Sequence, residues 1–361
     1  MGREGMARQE HQERKEEEQG LGQELKEFKP FDRRIAVILV VVIIAIGLVV
    51  VALDWQKVRQ VLVQADWKLI LPALVFTAIS YSCLSYTFVL VNHAFGLVVS
   101  RRDLFEISLV TVIMNHLITA GGAAGYGVRV MMLRERGAEV KDITAATIFH
   151  IYLDGLGMLF LLPVGLVYLL LRHPLSQGAA MGIEIATAVL FLVFALASAL
   201  ILAPSLRARI LRLAVAIVHR VAHRDIETEI GEFDESMTRG VAAIRQKPLL
   251  AVALVILTIF DWMASMTTLW FCFDALGDPL SFEVLIAGFS IGLTAGSLSM
   301  VPGGLGVQEG SMAGVYALLG TPFQQAVLAA ILFRVVYYFI PYIISLAFYG
   351  RLLRHVEREA H

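Results

Sequence analysis

The chain is 361 residues long, 58% hydrophobic and only 17% charged, with a mean hydropathy of +0.72 and a formal net charge of −1. Such a composition places it among integral membrane proteins and excludes an ordinary soluble domain. No basic stripe with interleaved aromatics occurs, so nucleic acid is not an expected partner. Cys83 and Cys272 both lie in apolar runs and are too few for a disulfide framework or a Cys-rich metal centre.

Residues 1–34 are rich in Glu, Gln, Lys and Arg and contain neither an apolar core nor a small-residue cleavage site, so they read as a charged cytosolic tail. Arg33 and Arg34 then flank the first apolar run. A membrane crossing needs about 20 apolar residues. Runs at 35–53, 69–91, 181–203, 249–273 and 324–349 meet that length, and 143–171 does so despite His150 and Asp154 within it. Two more runs, 104–120 and 284–300, stop at glycine clusters. If both crossed fully, the connection holding Arg129, Arg134, Arg136 and Lys141 would lie outside, against the positive-inside bias. If each turns back, the basic segments 92–103, 129–142, 204–248 and 351–361 all fall on the cytoplasmic side.

The patterning therefore predicts an all-α polytopic membrane protein with six full spans and two re-entrant hairpins. It is placed in the cell inner (plasma) membrane with both termini cytoplasmic. The membrane domain covers 35–350, and its halves, about 35–171 and 181–350, form an inverted repeat, an arrangement that puts a site near the bilayer midplane. The segment 204–248 lies within the second half. Its stretch RARILRLAVAIVHRVAHR reads as a basic amphipathic helix on the membrane surface. A short cytosolic tail, 351–361, closes the chain. No soluble segment is long enough for a separate catalytic domain.

The two halves carry matching charge layouts. ITAGGAAGYGVRV leads to Arg129 and on to Asp154, while SMVPGGLGVQEGS leads to Glu309 and on to Arg334. In each half one charge follows the glycines and its opposite comes 25 residues later, with the signs reversed between halves. A lone charge at that depth costs about 2.5–3.5 kcal/mol even on the lenient insertion scale, so each needs a partner or water. The simplest pairing is across the pseudo-twofold interface, Arg129 or Arg334 with Asp154 or Glu309; the alternative is a tightly packed glycine hairpin in which Glu309 pairs merely with Arg334 or Arg129. Gly303, Gly304 and Gly306 allow a tight break before Glu309, and the half-helix that follows offers its N-terminus to an anion. A guanidinium fork matches phosphate oxygens and stays charged in the membrane. Arg129, Asp154, Gly303, Gly304, Gly306, Glu309 and Arg334 are therefore the primary candidates for binding a lipid phosphate. His150, one helical turn from Asp154 and placed to hydrogen-bond it, is a secondary candidate, together with Asp261, Tyr126 and Tyr337. Tyr152 and Tyr338 also flank the charges, and Asn115 and His116 precede the first glycine break. No metal-ligand pattern, Walker loop or dinucleotide fingerprint occurs, so no cofactor, metal or enzymatic activity is expected.

The PGGLGVQEG run followed by Arg334, and GYGVRVMMLRERG followed by a mid-span Asp154, resemble the lysylphosphatidylglycerol synthase transmembrane region family of flippase-like membrane proteins. The resemblance covers about residues 35–350. In the family's commoner first motif a glycine and a glutamate precede the arginine, and Tyr126-Gly127-Val128-Arg129 lacks that glutamate. The resemblance implies a flippase or lipid-phosphate transporter for a phospholipid, glycolipid or polyprenyl phosphate, without the soluble aminoacyltransferase domain of the best known members. A non-transporting accessory of an envelope lipid or hopanoid synthesis enzyme is the alternative.

Overall fold

The computed structural model describes residues 55–118, 123–172, 177–222, 226–299, 301–345 and 348. The first expected span, 35–53, both tails and the tip of the first glycine break at 119–122 lie outside these residues. All regular elements among the described residues are helical. In chain order they are α1 (Trp55–Gln64), α2 (Ile70–Ala94), α3 (Arg101–Ile118), α4 (Ala123–Arg134), α5 (Val140–Arg172), α6 (Gln177–Leu202), α7 (Pro204–Ala222), α8 (Glu227–Arg245), α9 (Pro248–Ala275), α10 (Phe282–Leu298), α11 (Val307–Leu318) and α12 (Phe323–Arg334). A π turn at Val335–Phe339 follows α12 and leads into a last helical stretch ending at Ser345.

Among the described residues, four helical segments are long and apolar enough to cross a membrane: Trp67–Ala94, Val140–Arg172, Pro248–Ala275 and Phe323–Ser345. A fifth candidate is the pair formed by α6 and α7, which is bent by 100° where they meet. The protein is thus an all-α polytopic membrane protein. Helices dominate because a chain in lipid must satisfy its backbone N–H and C=O groups within each segment.

The halves meet through α2 and α9, which run antiparallel. Asp66 at the start of the α2 region donates its N–H to the Ala275 carbonyl at the end of α9, at 2.8 Å. Further along, Thr268 Oγ1 donates to the Ala73 carbonyl at 3.3 Å, and Ser80 Oγ donates to Asp261 Oδ1 at 2.5 Å. Phe76 and Phe271 stack between these rungs. Corresponding helices of the two halves therefore lie side by side in opposite directions, as an inverted repeat requires. In each half the long helix is followed by two shorter helices around a glycine break and then by another long helix: α3–α4 between α2 and α5, and α10–α11 between α9 and α12.

The second hairpin closes on a stripe of small residues. Gly288, Gly292 and Gly296 recur every fourth position on α10, and a Cβ at each would strike Tyr316, Met312 and Gln308 of the returning helix. Small residues at that spacing let two backbones approach closely, which substitutes for a hydrophobic driving force that lipid cannot supply. Tyr316, pressed on Gly288, donates its hydroxyl to the Leu285 carbonyl at 3.0 Å.

A second packing centre joins α2, α3, α4, α5 and α8 through Phe88, Leu104, Ile107, Met132, Ile143 and Met237. Arg207 fixes the elbow between α6 and α7. Its guanidinium donates to the Leu200 and Ile201 carbonyls at 3.3 and 3.0 Å, which the end of α6 leaves without helical donors, and to Asp234 of α8 at 2.5 Å.

The glycine stripe yields a direct test. Gly292→Leu should lower thermal stability in detergent by about 1–3 kcal/mol, the usual cost of overpacking. Gly231→Ala on α8, where an added Cβ meets nothing within 4 Å, should not lower it.

Candidate functional site

The break between α10 and α11 is built by backbone conformations that L side chains rarely adopt. Gly303, Gly304 and Gly306 have φ of 61°, 63° and 78°. Gly304 also lies so close to Gly296 that a Cβ would sit 3.1 Å from its Cα. The turn frees several backbone groups, and these are taken up by two charged side chains. Glu309, in the first turn of α11, accepts the Gly306 N–H at 2.7 Å with one carboxylate oxygen. Its other oxygen pairs with Arg334 Nε. Arg334 then donates through Nη1 to the Gly303 carbonyl at 2.8 Å and through Nη2 to Gln308 Oε1 at 3.1 Å. Its guanidinium lies 5.0 Å from the centre of the Tyr338 ring.

Of the pairings the sequence left open, the structure has the one within the second half. Arg334 does not cross to the other half; it pairs with Glu309 of its own half, and the pair clasps the turn. The half-helix N-terminus likewise already holds an anion, the carboxylate of Glu309. Arg334 is 2% exposed and the Glu309 side chain 13%, so the pair is desolvated.

Arg129 on α4 has a different environment. It is also 2% exposed, but its guanidinium donates only to hydroxyls, Thr111 Oγ1 at 3.2 Å and Thr147 Oγ1 at 3.4 Å. Its Cζ lies 4.3 Å from the centre of the Phe88 ring, and its Nε has no acceptor among the described residues. No carboxylate among those residues pairs with it, Asp154 included. His150 does not bond Asp154 either: its Nε2 contacts the Leu84 carbonyl at 3.3 Å, and its ring meets Phe88 edge-on. Although i and i+4 share a helix face, that does not oblige them to pair when a nearer acceptor exists. Gly125 at the start of α4 donates its N–H to Asn115 Oδ1 at 2.8 Å, and Tyr126 shares a 2.6 Å hydrogen bond with Thr144 of α5. The His116 side chain lies outside the described set.

Asp154 lies on α5 and Asp261 on α9, the two helices joined here by Trp262. Trp262 donates its indole N–H to the Asp154 carbonyl at 3.2 Å and lies against Gly157, where a Cβ would overlap its ring. Asp261 is 5% exposed and accepts from Ser80, whose hydroxyl also shares a 2.7 Å bond with Tyr337. The two carboxyl groups lie within electrostatic reach of one another. Tyr338 is within reach of Arg334, Glu309 and Asp154 together. Tyr337 and Tyr338 both sit on the π turn. Pro341 cannot give the Tyr337 carbonyl its usual helical donor, and the hydroxyl of Tyr81 takes that place at 3.0 Å.

The structure thus joins Glu309, Arg334, Asp154, Asp261 and Tyr337 into one buried polar region. Arg129 and His150 both lie against the Phe88 ring, and Tyr126 is a helix–helix contact. Ser80, Thr111 and Thr147 belong to these groups although nothing in the sequence singled them out, polar residues of this kind being too frequent in spans to stand out; Gln308 lies within the PGGLGVQEG run but was given no role there.

The clasp predicts a non-additive pattern. Glu309→Gln should leave a buried guanidinium unbalanced and cost about 3–5 kcal/mol of stability. Adding Arg334→Gln should restore most of the loss in thermal unfolding. Equal and additive losses would show that the two side chains act independently.

The sequence comparisons agree with this architecture. A family model described as lysylphosphatidylglycerol synthase TM region matches residues 35–345. The chain is similar to a UPF0104 membrane protein of Methanothermobacter thermautotrophicus, 22% identical over 309 residues, which covers 83% of this chain and 90% of that one. It is also similar to the phosphatidylglycerol lysyltransferase of Staphylococcus aureus (strain COL), 35% identical over 86 residues. That match covers 24% of this chain and only 10% of the lysyltransferase.

Proposed function

The chain belongs to the lysylphosphatidylglycerol synthase TM region family, and on that footing we propose that it moves a lipid with an anionic phosphate headgroup between the leaflets of its membrane. The membrane is the plasma membrane, with the α7–α8 connection on the cytoplasmic side. The observation that carries the reading is Arg129: a buried guanidinium held by hydroxyls and an aromatic face, with no counter-carboxylate among the described residues. A cation in that setting is short of a negative partner, and a phosphate supplies one with the geometry its fork prefers.

Two other features support a lipid as the cargo. The antiparallel halves and the glycine-broken hairpin are the parts from which alternating access is built. Between α2, α3 and the stretch after the π turn lies a groove of ≈ 320 Å³ lined by Leu74, Phe105, Leu109, Ile113 and Ile344. It suits an acyl chain. Tyr81 lines this groove and also bonds the Tyr337 carbonyl, so the apolar groove adjoins the buried polar region. In this reading Arg129 binds the headgroup, while Arg334 positions the hairpin rather than gripping the lipid.

Leaflet exchange of fluorescent lipids in proteoliposomes tests the proposal, with phosphatidylglycerol, phosphatidylcholine, a polyprenyl phosphate and a diacylglycerol as separate arms. The protein should accelerate exchange of at least one phosphate-bearing lipid and leave diacylglycerol unaffected. Arg129→Gln should slow that exchange about tenfold or more, the value of a lost charge-assisted hydrogen bond. Undiminished exchange by folded Arg129→Gln would remove the role assigned to it. No exchange of any lipid would favour an accessory of an envelope lipid synthesis enzyme.

A further inference from the structure

Helix α7 has a face that nothing in the described chain covers, and its chemistry is specific. Leu206, Ile210, Leu213 and Ile217 fall on one stripe of the helix, and Ile210, Leu213 and Ile217 are exposed. Arg209 and Arg220 border that stripe and are exposed, whereas Arg212 lies on the side turned to α8, where it lines a cavity with Glu227 and Asp234. The helix contains no Asp or Glu. Of its arginines only Arg207 has an acidic partner among the described residues, Asp234. The adjoining α8 has the opposite character, with Glu227, Glu229, Glu232, Asp234 and Glu235. The hairpin is thus basic and apolar on one helix and acidic on the other.

The orientation of that face is fixed by the elbow. Arg207 binds the last carbonyls of α6 and both the backbone and side chain of Asp234, while Arg245 donates to the Leu202 carbonyl at 3.1 Å. These bonds hold α7 at 100° to α6. If α6 crosses the membrane, α7 lies along its surface. We infer that α7 docks on the anionic headgroup layer of the adjacent leaflet, with Leu213 and Ile217 buried at the acyl boundary and Arg209 and Arg220 contacting lipid phosphates. The occupant is a bilayer surface because an apolar stripe bordered by cations matches its two layers, apolar below and anionic above. The acidic α8 is held off that surface by repulsion. It is also tied to the start of α5, where Ser236 donates to Asp142 at 2.5 Å and Arg239 pairs with the same carboxylate at 3.3 Å. The inference does not depend on the transport reading.

The test uses the full chain in nanodiscs, with Cys83 and Cys272 replaced by Ala and one nitroxide label at Ile217→Cys or Glu235→Cys. Collision with oxygen and with a water-soluble nickel chelate reports the surroundings of each label. In discs of phosphatidylcholine mixed with phosphatidylglycerol, the label at 217 should favour oxygen and the label at 235 the chelate. Attachment should weaken about 5-fold for each arginine lost, so Arg209→Gln and Arg220→Gln together should expose position 217 to the chelate. High salt, or phosphatidylcholine alone, should move position 217 of the otherwise unaltered chain the same way. Chelate access at 217 equal to that at 235 in every disc would overturn the inference. So would shielding of 217 from both reagents, as a protein partner would give, or an oxygen profile at bilayer-centre depth, as re-entry of α7 would give.

Discussion

Breaking a helix inside hydrocarbon strips backbone groups of their partners, and lipid offers none in return. The turn at Gly303–Gly306 exists because Glu309 and Arg334 supply those partners from within the chain. The carboxylate takes a free N–H, the guanidinium takes a free carbonyl, and each balances the other's charge in a place where neither could stand alone. The rest of the second half follows from this clasp. It determines where α11 returns, and hence why α10 must present glycine at every fourth position. It also brings α12 near enough to carry its π turn, with Tyr337 and Tyr338, into the polar region.

The two halves share an architecture but not an electrostatic arrangement. In the second half the opposed charges meet and cancel. In the first, Arg129 is surrounded by threonine hydroxyls and an aromatic ring, and Asp154 lies apart from it, towards Asp261. A symmetric scaffold thereby acquires one closed ion pair and one unbalanced cation. The closed pair holds a backbone break; the unbalanced cation is the group to which the proposed function gives the anion. On that proposal one arginine positions and the other binds, although the two look equivalent when only their spacing is considered.

Composition and run length made the membrane class and most crossings legible, because burial in lipid constrains whole segments and leaves a signal summed over about 20 residues. The paired motifs were legible for the same reason: glycine clusters interrupt that signal. Side-chain partners were not. Reversed signs in the two halves made pairing between halves the simplest solution, but the glycine turn places Glu309 directly beside Arg334. Helical spacing put Asp154 within reach of His150, and the structure gives the imidazole the Leu84 carbonyl of a neighbouring helix instead. The Gly288, Gly292, Gly296 stripe was within reach of a periodicity argument, since its spacing is itself the packing device. Ser80 was not, because a hydroxyl in a span has no signature until its neighbour is known.

The most direct test of the distinction between the arginines is native mass spectrometry of lipid retained by the purified protein. The account predicts that phosphate-bearing lipid is lost from Arg129→Gln and kept by the doubly neutralised Glu309→Gln, Arg334→Gln chain. Lipid kept by Arg129→Gln and lost from the double variant would contradict it.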